Sequence, residues 1–253
     1  MIEVAPVQLP TSDRWFSAGA PGPALVAEHA LTTGIGHWWA DDADRPRTLA
    51  VTCAGHAMLR GTPERLTAEA LAPLADTHVD APARFLPALR AAFAYVTPGE
   101  RMVWTQQAAP HEPPPSSRAV RVRRLEPADT DALLALGPDS AWISASWGGP
   151  LGLAASGHAW GAVDRGEQLL AVACAYFRGT RHEEVAALPL TGHRRHALAL
   201  SCVTALTDDI RARGHIPSWN CSTLDRPSRL LAWTAGFRLE REYVDHAVSG
   251  VRR

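Results

Sequence analysis

The chain has 253 residues, 46% hydrophobic and 20% charged, which points to a packed protein of one large or two ordinary domains and excludes disorder. A formal net charge of −1 argues against a nucleic-acid or anionic-membrane binder, and no apolar run approaches the ~20 residues that span a bilayer. All 25 basic residues are arginine, so a Walker-A lysine, a pyridoxal Schiff base and any lysine nucleophile are excluded.

Anion binding must therefore rest on arginine and backbone N–H groups. The first residues show no charged-then-apolar leader pattern. The cysteines, Cys53, Cys174, Cys202 and Cys221, form no C-x-x-C pair, and three lie in apolar stretches. Buried, reduced thiols in a cytoplasmic protein are expected.

In chain order, a helix is predicted over 23–32. The aromatic and acidic cluster GIGHWWADD (34–42) could be a binding loop or the edge of a core. TLAVTCAGHAMLRG (48–61) reads as a strand pair or one long bent strand. PERLTAEALAPLA (63–75) follows Thr62 with proline in the first helical position and reads as a helix. APARFLPALRAAFAYV (81–96) reads as a second helix with Phe85, Leu89 and Phe93 on one face, and ERMVWTQQ (100–107) as a strand. AAPHEPPPSS (108–117), with four prolines and two serines, cannot continue a helix or a central strand and is expected to link an N-terminal domain (1–107) to a second domain (118–253).

The second half is more regular. RAVRVRRL (118–125) alternates as a strand, and PADTDALLALG (127–137) reads as a helix stopped by Gly137. HAWGAVDRG (158–166) and QLLAVACAYFRG (168–179) form a hairpin, and HEEVAALPL (182–190) is a third strand. A long helix over 194–214 places Val203, Leu206 and Ile210 on one face and Thr207, Asp208 and Arg211 outward. A strand (216–223), a helix (227–236) and a final strand (237–246) complete the chain. The expected fold is α/β, a mixed sheet with helices on both sides.

The turn TGHRRHALA (191–199) joins a strand to a helix start. A helix N-terminus offers unpaired N–H groups and a positive dipole end. With Arg194 and Arg195 beside it and the small Ala197 and Ala199 in its first turns, it suits a diphosphate. On spacing alone it could equally be a solvated basic helix start.

Residues 118–250 resemble the GNAT superfamily of acyltransferases. HRRHALA is similar to that family's pyrophosphate loop, Q/R-x-x-G-x-G/A, with Arg194 in the first position. GHIPSWNCSTLDRPSRLLAWTAGF is similar to its last strand and helix: Pro-x-Trp, Asn, Asp, Ser and Gly-Phe recur at this spacing. The N-terminal half resembles the variable first domain of some two-domain bacterial members and could be a degenerate copy of the same fold. The resemblance implies acetyl-CoA as co-substrate and a small-molecule amine as acceptor, with no nucleic-acid or membrane partner and a monomeric or homodimeric state. It implies that Ala186, Ala187 and Leu188 face the pantetheine arm. Residues Arg194, Arg195, His196, Ala197, Leu198 and Ala199 would hold the pyrophosphate, with Asp225 and Ser228 beside the pantetheine. Two positions depart from the pattern. Ala197 replaces the first loop glycine, and Ala232 stands where many members have a tyrosine that protonates the leaving thiolate. A CoA-binding protein without turnover is the alternative.

Acetyl transfer needs a neutral amine, hence a base. Glu183 and Glu184 open the strand before the loop, and adjacent strand residues point to opposite faces. Parity with Val185 and Ala187 favours Glu183 as the base over Glu184. His182 and His193 flank the same strand, and His193-x-x-His196 lacks the acidic or cysteine partner a metal would want, so no metal is expected. Trp142, Ser144, Ser146 and Trp147 fall in a glycine-rich segment expected to be a loop shaping the acceptor pocket; packing by the two tryptophans is the other reading.

Overall fold

Strand pairing carries the architecture, and it crosses the midpoint of the chain. The computed structural model describes residues 1–5, 15–111, 120–189 and 195–252, the side chains of Arg195 and His196 excepted. The first half contains β1 (Ile2–Glu3), α1 (Ala24–Thr33), β2 (His37–Ala40), β3 (Thr48–Cys53), β4 (His56–Gly61), β5 (Thr77–Asp80), α2 (Leu86–Ala92) and β6 (Phe93–Gln106). The second contains β7 (Arg121–Arg124), α3 (Thr130–Leu134), α4 (Trp142–Ala145), α5 (Pro150–Ala155), β8 (Ala159–Val163), β9 (Leu169–Arg178) and β10 (His182–Pro189). It ends with α6 (Arg195–Ala212), β11 (Ile216–Ser222), α7 (Arg226–Thr234) and β12 (Phe237–Val251).

The strands form one mixed sheet in the order β1-β2-β3-β4-β5-β12-β6-β11-β10-β9-β8-β7. Adding six to each strand number, modulo twelve, returns the same order read backwards. In each half the fourth and fifth strands, β4·β5 and β10·β11, pair in parallel, and the other pairs are antiparallel. The chain is thus two copies of one topology that exchange their last strands: β6 lies against β11, and β12 against β5.

The first copy is reduced. Between β10 and β11 runs the 18-residue α6, whereas the corresponding stretch between β4 and β5 holds only a 3-10 turn, Glu69–Leu74, with Pro73 inside it. The helix expected over 63–75 does not form, since Pro73 has no N–H to give to a helical ladder. The helix expected over 81–96 stops at Ala92, and Phe93 opens a 14-residue strand. Phe85, Leu89 and Phe93 still share one buried cluster, so the apolar spacing reported burial correctly and conformation only in part. The expected loop around Trp142 is two short helices, α4 and α5. On α6, Val203, Leu206 and Ile210 are fully buried as expected, but so is Thr207, whose hydroxyl donates to the Thr204 carbonyl. The hydroxyl satisfies itself within the helix and lets the small side chain join the buried face.

Two contacts dock α1 of the first half onto the second. Glu28 accepts from the backbone N–H of Gly19 (2.8 Å) and of Thr180 (2.6 Å) and from the Thr180 hydroxyl (2.7 Å). His29 Nδ1 accepts from the Arg178 N–H (3.1 Å), which leaves Nε2 to donate to the Ser146 carbonyl (2.8 Å). All four cysteines are buried and unpaired. Among the described residues no helix is long and apolar enough to cross a membrane.

Candidate active site

The site begins where two parallel strands part. β10 and β11 are in register only from His182↔Ile216 to Glu184↔Ser218. Beyond that point β10 stays with β9 through Pro189↔Ala171, and β11 stays with β6 through Ser222↔Arg101. The divergence opens a cavity of about 650 Å³. Its one side is residues 185–189 of β10; the other is β11 and the first turns of α7.

Along this cleft Ala186, Ala187 and Leu188 line one wall, Asp225 and Ser228 the other. Asp225 caps α7, its Oδ1 accepting from the Ser228 N–H at 3.0 Å, and Pro227 occupies the first turn, where a missing N–H costs nothing. The Ser228 hydroxyl accepts from the Trp219 indole at 3.0 Å, locking the helix start to β11. Ala232 is fully buried in the core, while Ser228 and Leu231 are the α7 residues nearer the cavity. Residues 191–194 of the expected pyrophosphate turn, Arg194 and His193 among them, lie outside the described residues, as do the side chains of Arg195 and His196. Ala197 and Leu198 are half-buried in the first turns of α6, and Ala199 is buried in the core.

The two glutamates part company. A bulge between Glu184 and Val185 interrupts the alternation on which the preference for Glu183 rested. The Glu183 carboxylate meets Arg213 Nη2 at 2.7 Å, His215 Nδ1 at 2.8 Å and Arg178 Nε at 3.6 Å. Burial pushes its pKa up, but the Arg213 hydrogen bonds and the charges of Arg213 and Arg178 outweigh it and hold the carboxyl below the usual range. Glu183 does not line the cavity; Glu184 does. Burial raises the Glu184 carboxyl to about 7, against the opposing charge of Arg101 and a hydrogen bond from Asn220.

A polar cluster surrounds Glu184, much of it from the first half. His56, Asp76, His78 and Arg101 line the same cavity. Arg101 Nε approaches Asn220 Oδ1 at 3.4 Å, and the Asn220 amide donates to the Tyr243 hydroxyl at 2.9 Å. Asp245 Oδ2 lies 3.7 Å from Arg101 Nε and 3.6 Å from His78 Nδ1. The His56 and His78 rings are 5.9 Å apart, and burial lowers His56 to about 4, so it is neutral near pH 7.

Of the residues expected to shape an acceptor pocket, Trp142 alone lines the cavity, 43% exposed and tilted against Tyr176 with ring centroids 6.1 Å apart. Ser144 is buried and donates to the Ala141 carbonyl. Trp147 is buried, donates to the Ala175 carbonyl at 2.8 Å and stacks on His158. Both are buried and neither lines the cavity; the Trp147 indole is held on β9 through Ala175. His182 is buried, with Nδ1 2.9 Å from the Gly19 carbonyl. Sequence reasoning missed His56, Asp76, His78 and Arg101. No local motif surrounds any of them, and only the exchange of strands brings them to Glu184.

Comparison with known proteins gives a consistent picture. The profile of a family described as GNAT acetyltransferase matches residues 120–245. The chain is 55% identical over 215 residues to an uncharacterised N-acetyltransferase from the mutA 5′ region of Streptomyces virginiae, covering 85% of this chain and 90% of that protein. Among solved structures, a GCN5-related N-acetyltransferase-like protein from Streptococcus suis superposes with a TM-score of 0.67 at 17% identity, over 88% of this chain and 90% of that one. A tandem GNAT protein from the clavulanic acid biosynthesis pathway superposes with a TM-score of 0.56 at 13% identity, over 96% and 92%. At these identities the two structures speak for the fold, a two-domain arrangement included.

Proposed function

Because the chain belongs to the family of GNAT acetyltransferases, we propose that it moves an acetyl group from acetyl-CoA to the amine of a small molecule, by direct attack in a ternary complex. The observation that carries this reading is Glu184. It is a buried carboxylate tuned to about 7, at the point where β10 and β11 part. A base with a pKa near the working pH combines a useful ionised fraction with a useful affinity for the proton.

In this reading Glu184 takes the proton from the attacking ammonium, directly or through one water. Ala186, Ala187 and Leu188 lie on the stretch of β10 that β11 has left, so backbone N–H groups there are free to polarise the thioester carbonyl and to hold the pantetheine arm. The turn over 191–199, with Arg194, Arg195, His196 and the first residues of α6, takes the pyrophosphate. Asp225 and Ser228 flank the arm from α7. The first half walls the acceptor end. Binding both substrates side by side supplies much of the rate by orientation, and no covalent enzyme intermediate is needed.

Thiol release from acetyl-CoA with a panel of amines tests the reading. Glu184→Gln is expected to lower kcat by roughly 10²–10⁴-fold, the span of general-base contributions, with little change in acetyl-CoA affinity. An unchanged kcat in this variant, on any amine the wild type accepts, would remove Glu184 from the chemistry.

A further inference from the structure

Arg101 is a largely buried cation whose contact with a carboxylate, among the described residues, is a long one. Its side chain is 17% exposed, and its nearest carboxylate oxygen is Asp245 Oδ2, at 3.7 Å from Nε. Other arginines of this protein are paired far better: Arg123 holds Asp129 with two bonds of 2.7 Å, and Arg213 holds Glu183 at 2.7 Å. Asp245 is also shared with His78, and its Oδ1 has no partner among the described residues. The fold thus sets a largely buried guanidinium on the wall of a cavity: its Nε donates to Asn220 Oδ1 at 3.4 Å, Asp245 and Glu184 balance its charge from further off, and among the described residues it makes no hydrogen bond to a carboxylate. A planar fork of N–H donors in that condition is suited to a carboxylate brought by a ligand.

The surroundings narrow the choice. Around the acceptor end stand Glu184 on β10, Tyr176 on β9, Asn220 on β11, Tyr243 and Asp245 on β12, His56 on β4, and Asp76 and His78 at β5. With His56 neutral, Arg101 is the one permanent cation among the described residues that line this cavity. The proposed base and the cation share the same end of it.

We propose that the acceptor is an amine that also carries a carboxylate, an amino acid or close derivative, and that Arg101 takes the carboxylate while the amine meets Glu184. This rests on the acetyl-transfer reading. It also gives the first half a reason to be there, since β6 delivers Arg101 to the cavity beside Glu184.

The test uses the full chain and acceptors in matched pairs: each standard amino acid against its own carboxamide, by thiol release from acetyl-CoA. Amino acids are expected to exceed their carboxamides by about tenfold or more in kcat/KM, the size of a charged hydrogen-bond pair. Arg101→Gln should erase that margin, bringing the acid-to-carboxamide ratio of kcat/KM to about one; the ratio is the readout, because the Arg101 charge also favours the ionised Glu184 and its loss slows both acceptors. Equal rates on acids and carboxamides in the wild type would overturn the inference while leaving acetyl transfer intact. So would an equal loss on both in Arg101→Gln, the mark of a purely structural arginine. Should no amine release thiol, calorimetric titration of N-acetyl amino acids and their amides, with CoA present, still decides. Tighter binding of the acids, lost in Arg101→Gln, supports the inference although the turnover reading has failed; equal or absent binding overturns it.

Discussion

Glu184 is held at a thermodynamic cost. Its carboxyl ordinarily titrates near 4.5 and is raised to about 7 in the folded protein. Between those values the unfolded chain has released the proton and the folded chain keeps it. Stability therefore falls as pH rises through that window and stays lowered above it. Glutamine carries no such penalty. Glu184→Gln should accordingly be more stable than wild type at pH 8, by on the order of 3 kcal/mol, and close to wild type at pH 4. Urea unfolding at the two pH values measures this. A variant whose stability relative to wild type does not change between pH 4 and pH 8 would show that the carboxyl is not buried in its proton-holding form. On the proposed role of Glu184 as base, kcat is expected to rise with pH through about 7, since only the ionised form accepts the amine's proton; a pH–rate profile checks this. Stability and activity thus pull Glu184 in opposite directions, as they do at many catalytic positions. The pair of glutamates was visible in the sequence, and the choice between them was not. Parity along a strand decides faces only while the strand is regular, and the bulge after Glu184 breaks it.

The element that holds the site, β10, is pinned from both directions. Glu183 ties it to Arg213, just beyond α6, and to His215, just before β11. On the turn before it, Thr180 is tied to Glu28 of α1. These anchors hold the start of β10, where it still pairs with β11. Glu183 is fully buried but Arg213, His215 and Arg178 keep about a quarter of their side chains exposed, so Glu183→Gln should cost roughly 1.5–3 kcal/mol, the size of charge-assisted hydrogen bonds. The Glu183 contribution is present above the ordinary carboxylate value and lost as pH falls through its lowered folded pKa. At pH 8 the two neighbouring substitutions are therefore expected to have opposite signs: Glu183→Gln lowers the urea midpoint with kcat per folded molecule near wild type, and Glu184→Gln raises it with kcat lost. Matching signs would mean that the two side chains do not occupy opposite environments. At this scale the strands from β8 to β11 were legible, because they are short apolar runs bounded by glycines and turns. The helix expected over 63–75 was not, and the one expected over 81–96 was so only as far as Ala92, since Pro73 and the start of β6 at Phe93 override a spacing that suits either conformation.

At the scale of the molecule the halves depend on each other through exchanged strands. The proline-rich stretch 108–117 marks a division in the sequence, yet the strand just before it, β6, lies between β11 and β12. Nothing in local composition can announce such an exchange, because both partners are ordinary strands and only their register, separated by more than a hundred residues, reveals it. A chain beginning at residue 118 would lack β6. β11 would lose the pairing that runs from Ser218↔Thr105 to Ser222↔Arg101, and β12 the one that runs from Phe237↔Gln106 to Val251↔Phe93. Two long edges would be left open to pairing with other chains. The same truncation removes Arg101, His56, Asp76 and His78 from the cavity. Residues 118–253 produced alone should therefore associate or aggregate and release no thiol from acetyl-CoA. Co-production with residues 1–111 should restore a one-to-one complex with thiol release, since the exchanged strands need no covalent link to pair. Size-exclusion chromatography and the thiol assay read both outcomes. A second half that is monomeric and active by itself would mean that the exchange is incidental and the first half only an appendage. An active complex of the two pieces, with neither piece active alone, would mean that the active site belongs to both copies and that the reduced first copy was kept for the strand and the side chains it lends.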